Sequence, residues 1–249
     1  MKTNYTRGRL LGLLNRLFVK VQRKVQGIPW GAAHIYDKVA AKYLEPSYDY
    51  VIDEVSQVST YRIVDVGCGP GKLLLSLARR SLGTTLVGID ISSAMAYIAH
   101  KNSLKEELDH SVDFVVADAH LIPIRDDSID LILSTGTLHH IKNPEKLFKE
   151  LKRVLRRGGE AWIYEFSHDA PWKEVKDVAK TLKRPTLLLK LAATLHGLPR
   201  KTFDSGYIRN SLVMFNVTYS VLYKGVITKL VIKGNDNLKN SSQVQTKTN

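Results

Sequence analysis

The sequence predicts an α/β fold: a doubly wound, mostly parallel sheet of seven strands with helices on both faces and an antiparallel hairpin at its C-terminal end. Three observations predict it. Short β-branched runs at Arg62–Val66, Thr85–Asp90, Val112–Ala117, Ile129–Ser134 and Ala161–Glu165 alternate with amphipathic helical stretches, and strands apolar on both faces need helices above and below them. A glycine-rich turn, Gly67-Cys68-Gly69-Pro70-Gly71, follows the first run. Val217–Tyr223 and Val226–Ile232 alternate apolar and polar residues about Lys224-Gly225, the pattern of a hairpin.

The remaining elements follow in order. Residues 7–28 read as a basic amphipathic helix: Leu10, Leu13, Leu14, Leu17, Val21 and Val25 share one arc, and Arg9, Arg16, Lys20 and Arg23 another, at about 100° per residue. Gly27, Pro29 and Gly31 break it. Helices are expected at His34–Glu45 and Tyr48–Ser56, then at Lys72–Arg80, Ser93–Leu108 and Pro144–Leu155. Trp172–Leu195 reads as helical with a break at Pro185. The chain divides into a basic N-terminal helix (1–30), an α/β domain (31–233) with a cap over about 167–216, and a polar tail (234–249) expected to be disordered.

Composition narrows the function. The chain has 249 residues, is 44% hydrophobic and 24% charged, near globular averages. Cys68 is its single cysteine, so no internal disulfide or cysteine-based metal cluster can form, and a reducing, cytoplasmic setting is expected. No metal-ligand spacing is found. No apolar run reaches the roughly 18–20 residues that span a bilayer, and the N-terminus lacks a signal-peptide cleavage pattern, so it is read as retained. The net charge is +13, and residues 1–30 hold seven Lys/Arg and no acid. That balance favours anionic partners, either a lipid headgroup surface or nucleic acid.

The glycine turn fits neither common phosphate-binding loop. Lys72 stands where a dinucleotide fingerprint needs its third glycine, and Gly71-Lys72 is followed by Leu73 rather than the Ser or Thr of a Walker loop. Asp65, two residues before the first glycine, would repel a pyrophosphate but suits a ligand carrying an ammonium and a sulfonium. Asp90 ends the second strand, where an acid can accept from both hydroxyls of a ribose; the alternative is a helix N-cap, which Ser92 or Ser93 could supply instead.

Val64–Gly71 resembles motif I of class I S-adenosylmethionine (SAM)-dependent methyltransferases, and Gly88–Ser92 the motif that follows it. Asp118–Pro123 resembles the family's D-A-x-x-L-P segment. Ser128–Leu133 resembles its F-D-x-V strand, with Ile129 for Phe. Leu138-His139-His140 and Arg153–Gly159 resemble the later L-H-H and R-V-L-K-P-G-G segments, with Arg157 for Pro. The likeness covers about residues 61–166 and is nearest the branch that holds the ubiquinone/menaquinone C-methyltransferases.

The resemblance implies SAM as cofactor. Gly67 and Gly69 would let backbone approach its methionine portion, Asp65 would face the amino group, and Ile91 would pack on adenine. Asp118 and the Ala119 amide would bind the adenine edge, and Ser134 would help line the methyl-transfer mouth. Tyr36 matches a segment that covers the cofactor. Cys68 lies within the cofactor loop, where packing rather than nucleophilic chemistry is expected.

Methyl transfer needs alignment and exclusion of water, with a base where the acceptor must lose a proton. His139 and His140 are the candidate catalytic residues, one of the pair expected to point into structure, with His168 behind them. A basic, aliphatic cap suits a small apolar or amphiphilic acceptor, quinone or lipid-like, and residues 7–28 could rest on a membrane surface. Two rivals remain: an RNA or protein methyltransferase docking through the basic N-terminus, and a non-catalytic SAM-fold subunit. The oligomeric state is left open.

Overall fold

The computed structural model describes residues 41–80, 84–195, 197–234 and 245–247. The expected basic helix at 7–28 and Tyr36 lie outside these residues. Helix α1 (Ala41–Val55) comes first, then strand β1 (Arg62–Val66), α2 (Lys72–Ala78), β2 (Thr85–Asp90), α3 (Ser93–Lys105), β3 (Val112–Val116) and β4 (Ile129–Thr135). A short 3₁₀ turn (Leu138–His140), α4 (Pro144–Val154) and β5 (Leu155–Ser167) follow. The last third holds α5 (Trp172–Thr181), α6 (Thr186–Leu195), β6 (Gly197–Leu198), α7 (Arg200–Asp204), α8 (Tyr207–Met214), β7 (Tyr219–Lys224), β8 (Ile227–Lys233) and β9 (Gln245–Lys247).

The strands form one sheet in the order β3-β2-β1-β4-β5-β8-β7-β9, with β6 paired to β5. β1 to β5 pair in parallel, and the β7–β8 hairpin adds antiparallel to β5. Among the described residues the sheet has nine strands where the sequence predicts seven. The two additions are a two-residue β6 and a three-residue β9, the latter inside the tail expected to be disordered. Segments so short carry no readable alternation; β6 pairs with β5 and buries Leu198 in the core, and β9 pairs with β7. The order reverses between β1 and β4, and such a switch point opens a crevice at the strands' C-terminal ends.

Alternation along each strand builds two cores. Val64, Val66, Ile132 and Ile163 face one side with Phe148 and Leu151 of α4. Ile63, Leu131 and Leu133 face the other, with Leu73, Leu74 and Leu77 of α2 and Val51, Ile52 and Val55 of α1. Within the described residues, α1 runs through Pro46 where the sequence predicts a break. Proline lacks the N–H for one helical bond, yet Val51 and Ile52, each 1% exposed, fasten the rest of the helix to the sheet.

Strand β5 begins six residues earlier than predicted, directly from α4. Its register with β4 shifts between Ile129 and Leu131. Gly159 permits the shift, because a Cβ there would meet the carbonyl oxygens of Ile129, Arg156 and Asp130. Asp130, the acid of the F-D-x-V segment, is buried and structural: it accepts from the Arg62 amide at 2.8 Å and pairs with Arg156.

Candidate active site

At the switch point β1 ends in a tight turn. Gly67, Gly69 and Gly71 have φ of 77°, 53° and 79°, a region that residues with a Cβ rarely enter. The amides of Gly67 and Cys68 donate to the Ile89 carbonyl at 2.7 and 3.1 Å, which ties the turn to the end of β2. Asp90 strengthens the tie: Oδ2 accepts from the Gly69 amide at 2.9 Å and Oδ1 from the Ser92 amide at 2.8 Å. Burial raises the Asp90 carboxyl pKa more than these two amides lower it. Ser92 caps α3, its hydroxyl accepting from the Met95 amide, so capping does not consume Asp90. Each carboxylate oxygen keeps a lone pair for a further donor.

Asp65 lies beneath the turn at 1% exposure, with a buried Oδ1 that has no hydrogen-bond partner. Burial, with the Asp90 charge adding to it, pushes its carboxyl from 3.8 up to about 8. An unpartnered buried carboxylate oxygen is costly unless a donor or cation arrives to meet it. The observation fits a ligand with an ammonium group. Cys68 is buried and its thiol is pushed well up, by burial first and then by Asp65 and Asp90. A thiol held protonated is no nucleophile, in line with a packing role.

Two further carboxylate-bearing segments flank the turn. Ile91, just after β2, is 40% exposed, an apolar surface beside Asp90. Asp118 accepts from both the amide and the Nδ1 of His120, at 2.9 and 2.7 Å, while its side chain stays 45% exposed; Ala119 packs against the core. Helix α4 holds this loop from below. Arg153 donates to the carbonyls of Ile122 and Ile124 at 2.7 and 2.8 Å, and Glu150 accepts from the Ile122 amide at 2.9 Å. The arginine of the R-V-L segment is thus a brace for the Asp118 loop.

A pocket opens at the C-terminal ends of β4 and β5. Tyr48 and Val51 of α1 line it, with Thr135 and Gly136 at the end of β4, Tyr164, Glu165 and Phe166 of β5, and Ile227 of β8. Thr137 joins it to the glycine turn, its hydroxyl within 3.4 Å of the Gly67 carbonyl. Glu165 has a fully buried side chain, and its Oε2 lies 2.8 Å from His139 Nδ1 while Oε1 accepts the His139 amide at 3.3 Å. His139 is 1% exposed; His140 is partly exposed, its ring 4.0 Å from that of His139. The two imidazoles therefore divide as expected for adjacent histidines, one inward and one outward.

The structure places two candidates elsewhere. Ser134, expected at the methyl-transfer mouth, is 3% exposed and donates to the Val66 carbonyl at 2.8 Å. Its hydroxyl clamps β4 to β1, because side chains alternate along a strand and Ser134 faces the sheet's packed side. Thr135 and Gly136 line the pocket instead. His168 lies past the end of β5, its carbonyl accepting from Lys190, and burial holds its imidazole pKa below the usual range. Glu165, Tyr48 and Tyr164 escaped the sequence reading. The one available signal was a carboxylate inside the otherwise apolar strand Trp162-Ile163-Tyr164-Glu165-Phe166.

A switch-point crevice with a glycine turn, Asp65 within β1, Asp90 at the end of β2 and an adjoining pocket is the arrangement at which open α/β sheets hold nucleosides. Likeness to known proteins narrows that reading. Residues 64–163 match the model of a methyltransferase domain family. It is 31% identical to a malonyl-[acyl-carrier protein] O-methyltransferase of Geobacter sulfurreducens, over 72% of this chain and 61% of the relative. It is 30% identical to a demethylmenaquinone methyltransferase of Renibacterium salmoninarum, over 53% and 60%. A solved structure from Methanococcus maripaludis, provisionally assigned as a SAM-dependent methyltransferase, superposes with a TM-score of 0.69 at 21% identity, covering 86% of this chain and 98% of that one. The matched regions span between 34% and 61% of the length of the first curated relatives.

Proposed function

We propose that the protein is a SAM-dependent methyltransferase acting on a small apolar or amphiphilic acceptor of quinone or lipid-like kind. The observation that carries the reading is the joining, through Thr137, of a glycine turn over an unpartnered buried Asp65 to a pocket walled by aromatic and aliphatic side chains. Relatives named for demethylmenaquinone, tocopherol and a sterol support the apolar side of the proposal.

SAM would supply an already activated methyl group. Asp65 meets its ammonium, the Gly67 and Gly69 backbone admits its methionine portion, and Asp90 accepts from its ribose. Ile91, Asp118 and Ala119 hold its adenine. The apolar pocket orients the acceptor and keeps water away, which in an in-line displacement is most of the work. Where the acceptor must shed a proton, Glu165 is the carboxylate at the pocket wall, held in place by the buried His139. His140, on the same turn, borders this pair.

Isotope transfer from labelled SAM into lipid, RNA and protein fractions of a cell extract tests the acceptor. Label entering RNA or protein alone would overturn it and favour docking through the basic first 30 residues. Glu165→Gln and His140→Ala are expected to lower turnover by about a hundredfold while SAM affinity measured by calorimetry stays level. Equal losses in both would refute the catalytic assignment. The expected setting is cytoplasmic or membrane-peripheral; among the described residues no helix is long and apolar enough to cross a membrane.

A further inference from the structure

Helix α6 is apolar on two sides. Leu189 packs partly buried against the small core of Ala170, Val175 and Val226, and Ala193 is fully buried. At about 100° per residue, Leu187, Leu188 and Leu191 fall on the opposite arc, where they are 75%, 40% and 52% exposed. Trp172, at the start of the neighbouring α5, is 48% exposed. A surface helix normally turns polar residues outward, and an uncovered apolar face signals an interaction surface.

Charge around this face says what covers it. Lys173, Lys176, Lys180, Lys183 and Arg184 are all exposed on α5 and the α5–α6 turn. Of the two acids on this stretch, Glu174 is engaged by Arg200 at 2.7 Å, leaving Asp177 as the exposed one. Leucines with an exposed tryptophan, rimmed by cations, match the boundary between acyl chains and anionic headgroups. A protein partner would need a matching apolar surface; a bilayer provides one along with the negative charge.

We propose that the outer face of the α5–α6 cap docks on an anionic phospholipid bilayer. The cap's inner side makes the docking useful. Val178, Leu189, Phe166 and Ile227 all pack against the small core of Ala170, Val175 and Val226, and Phe166 and Ile227 also line the acceptor pocket. The docked helix pair and the pocket wall thus share one small core. The proposal extends the amphiphilic-acceptor reading, and its test uses no turnover.

Flotation of the full chain with mixed phosphatidylglycerol–phosphatidylcholine vesicles, against pure phosphatidylcholine, provides that test. The wild type is expected to float with the anionic vesicles only. Leu187→Asp with Leu191→Asp is expected to lower the partition constant by about a hundredfold, as for losing the burial of two leucines. Lys176→Glu with Lys180→Glu, which leaves every leucine in place, is expected to lower it by about tenfold or more. SAM binding by calorimetry checks that each variant is folded. Wild-type and leucine-variant chains floating alike would overturn the proposal and assign membrane contact to another segment. Absence of wild-type flotation, or a dimer in sedimentation that the leucine variant dissolves, would also overturn it. Loss of flotation in folded variants together with isotope label in RNA would sustain the docking face and sink the acceptor reading.

Discussion

Replacing Asp65 by asparagine separates two consequences of placing a carboxyl group beneath the glycine turn. The group is 1% exposed with one oxygen unbonded, and burial, then the Asp90 charge, pushes its pKa from 3.8 to about 8. In the unfolded chain the carboxyl loses its proton from about pH 4 upward; in the ligand-free folded chain it keeps that proton until about pH 8. Its contribution is therefore fully present below pH 4 and is lost as pH rises to 8. Between about pH 5 and pH 8 the loss reaches up to about 4 kcal/mol, at about 1.4 kcal/mol per pH unit. At roughly 2–4 °C per kcal/mol for a chain of this size, the wild-type melting temperature should fall by roughly 10 °C more than that of Asp65→Asn over this range. The asparagine removes the charge proposed to meet the SAM ammonium, so SAM should raise the melting temperature of the wild type and leave the variant unmoved. Circular dichroism melts across the pH range, with and without SAM, read both effects. Parallel pH profiles for the two proteins would refute the buried, unpartnered carboxyl. A variant stabilised by SAM as strongly as the wild type would refute the ammonium assignment.

Three other substitutions probe the frame around Asp65. Asp90→Ala removes the acceptor for the Gly69 and Ser92 amides and for the ribose, so calorimetry should show SAM binding weakened by about a hundredfold or more; unchanged affinity would exclude the ribose role. Glu54→Ala should cost about 2 kcal/mol in chemical denaturation, because Glu54 receives Tyr50, Tyr164 and the largely buried Lys229 at 2.7, 2.7 and 2.9 Å, and truncation leaves that lysine without its carboxylate. Burial works to raise the Glu54 pKa, but these three bonds outweigh it and hold it below the ordinary value. The stabilisation is thus present at neutral pH and lost as pH falls through the folded value, so the gap between the two proteins should narrow in acid; a constant gap would refute the charge pairing. Gly67→Ala places a Cβ against Thr137 at a φ of 77° and should destabilise by about 1–3 kcal/mol, with Thr137→Ser relieving the part owed to the methyl group. Melting at the wild-type temperature would show that the turn tolerates a side chain.

The sequence by itself determined the elements whose signal is local. Short apolar strands alternating with amphipathic helices specified the parallel sheet, and residues of motif I, Asp90 and Asp118 marked the cofactor side, since each sits at the end of a strand and a strand's end is legible from where its pattern stops. A serine cap that releases Asp90 was readable as Ser92 or Ser93, and the structure selects Ser92. What the tertiary structure decided is what depends on residues far apart in the chain. Ser134 and Thr135 are adjacent in sequence, yet the pleat turns one hydroxyl onto Val66 and the other residue toward the pocket. Glu165 became part of the site because the 3₁₀ turn carrying His139, 26 residues earlier, folds back onto it. Tyr48 joined the pocket because α1 packs across the sheet. A pocket wall is an intersection of segments, and a hydrophobicity period reports one segment at a time. The outward face of α6 belongs to the same kind: the sequence reads only as helical there, and the fold shows Ala193 buried while, among the described residues, Leu187, Leu188 and Leu191 stay exposed.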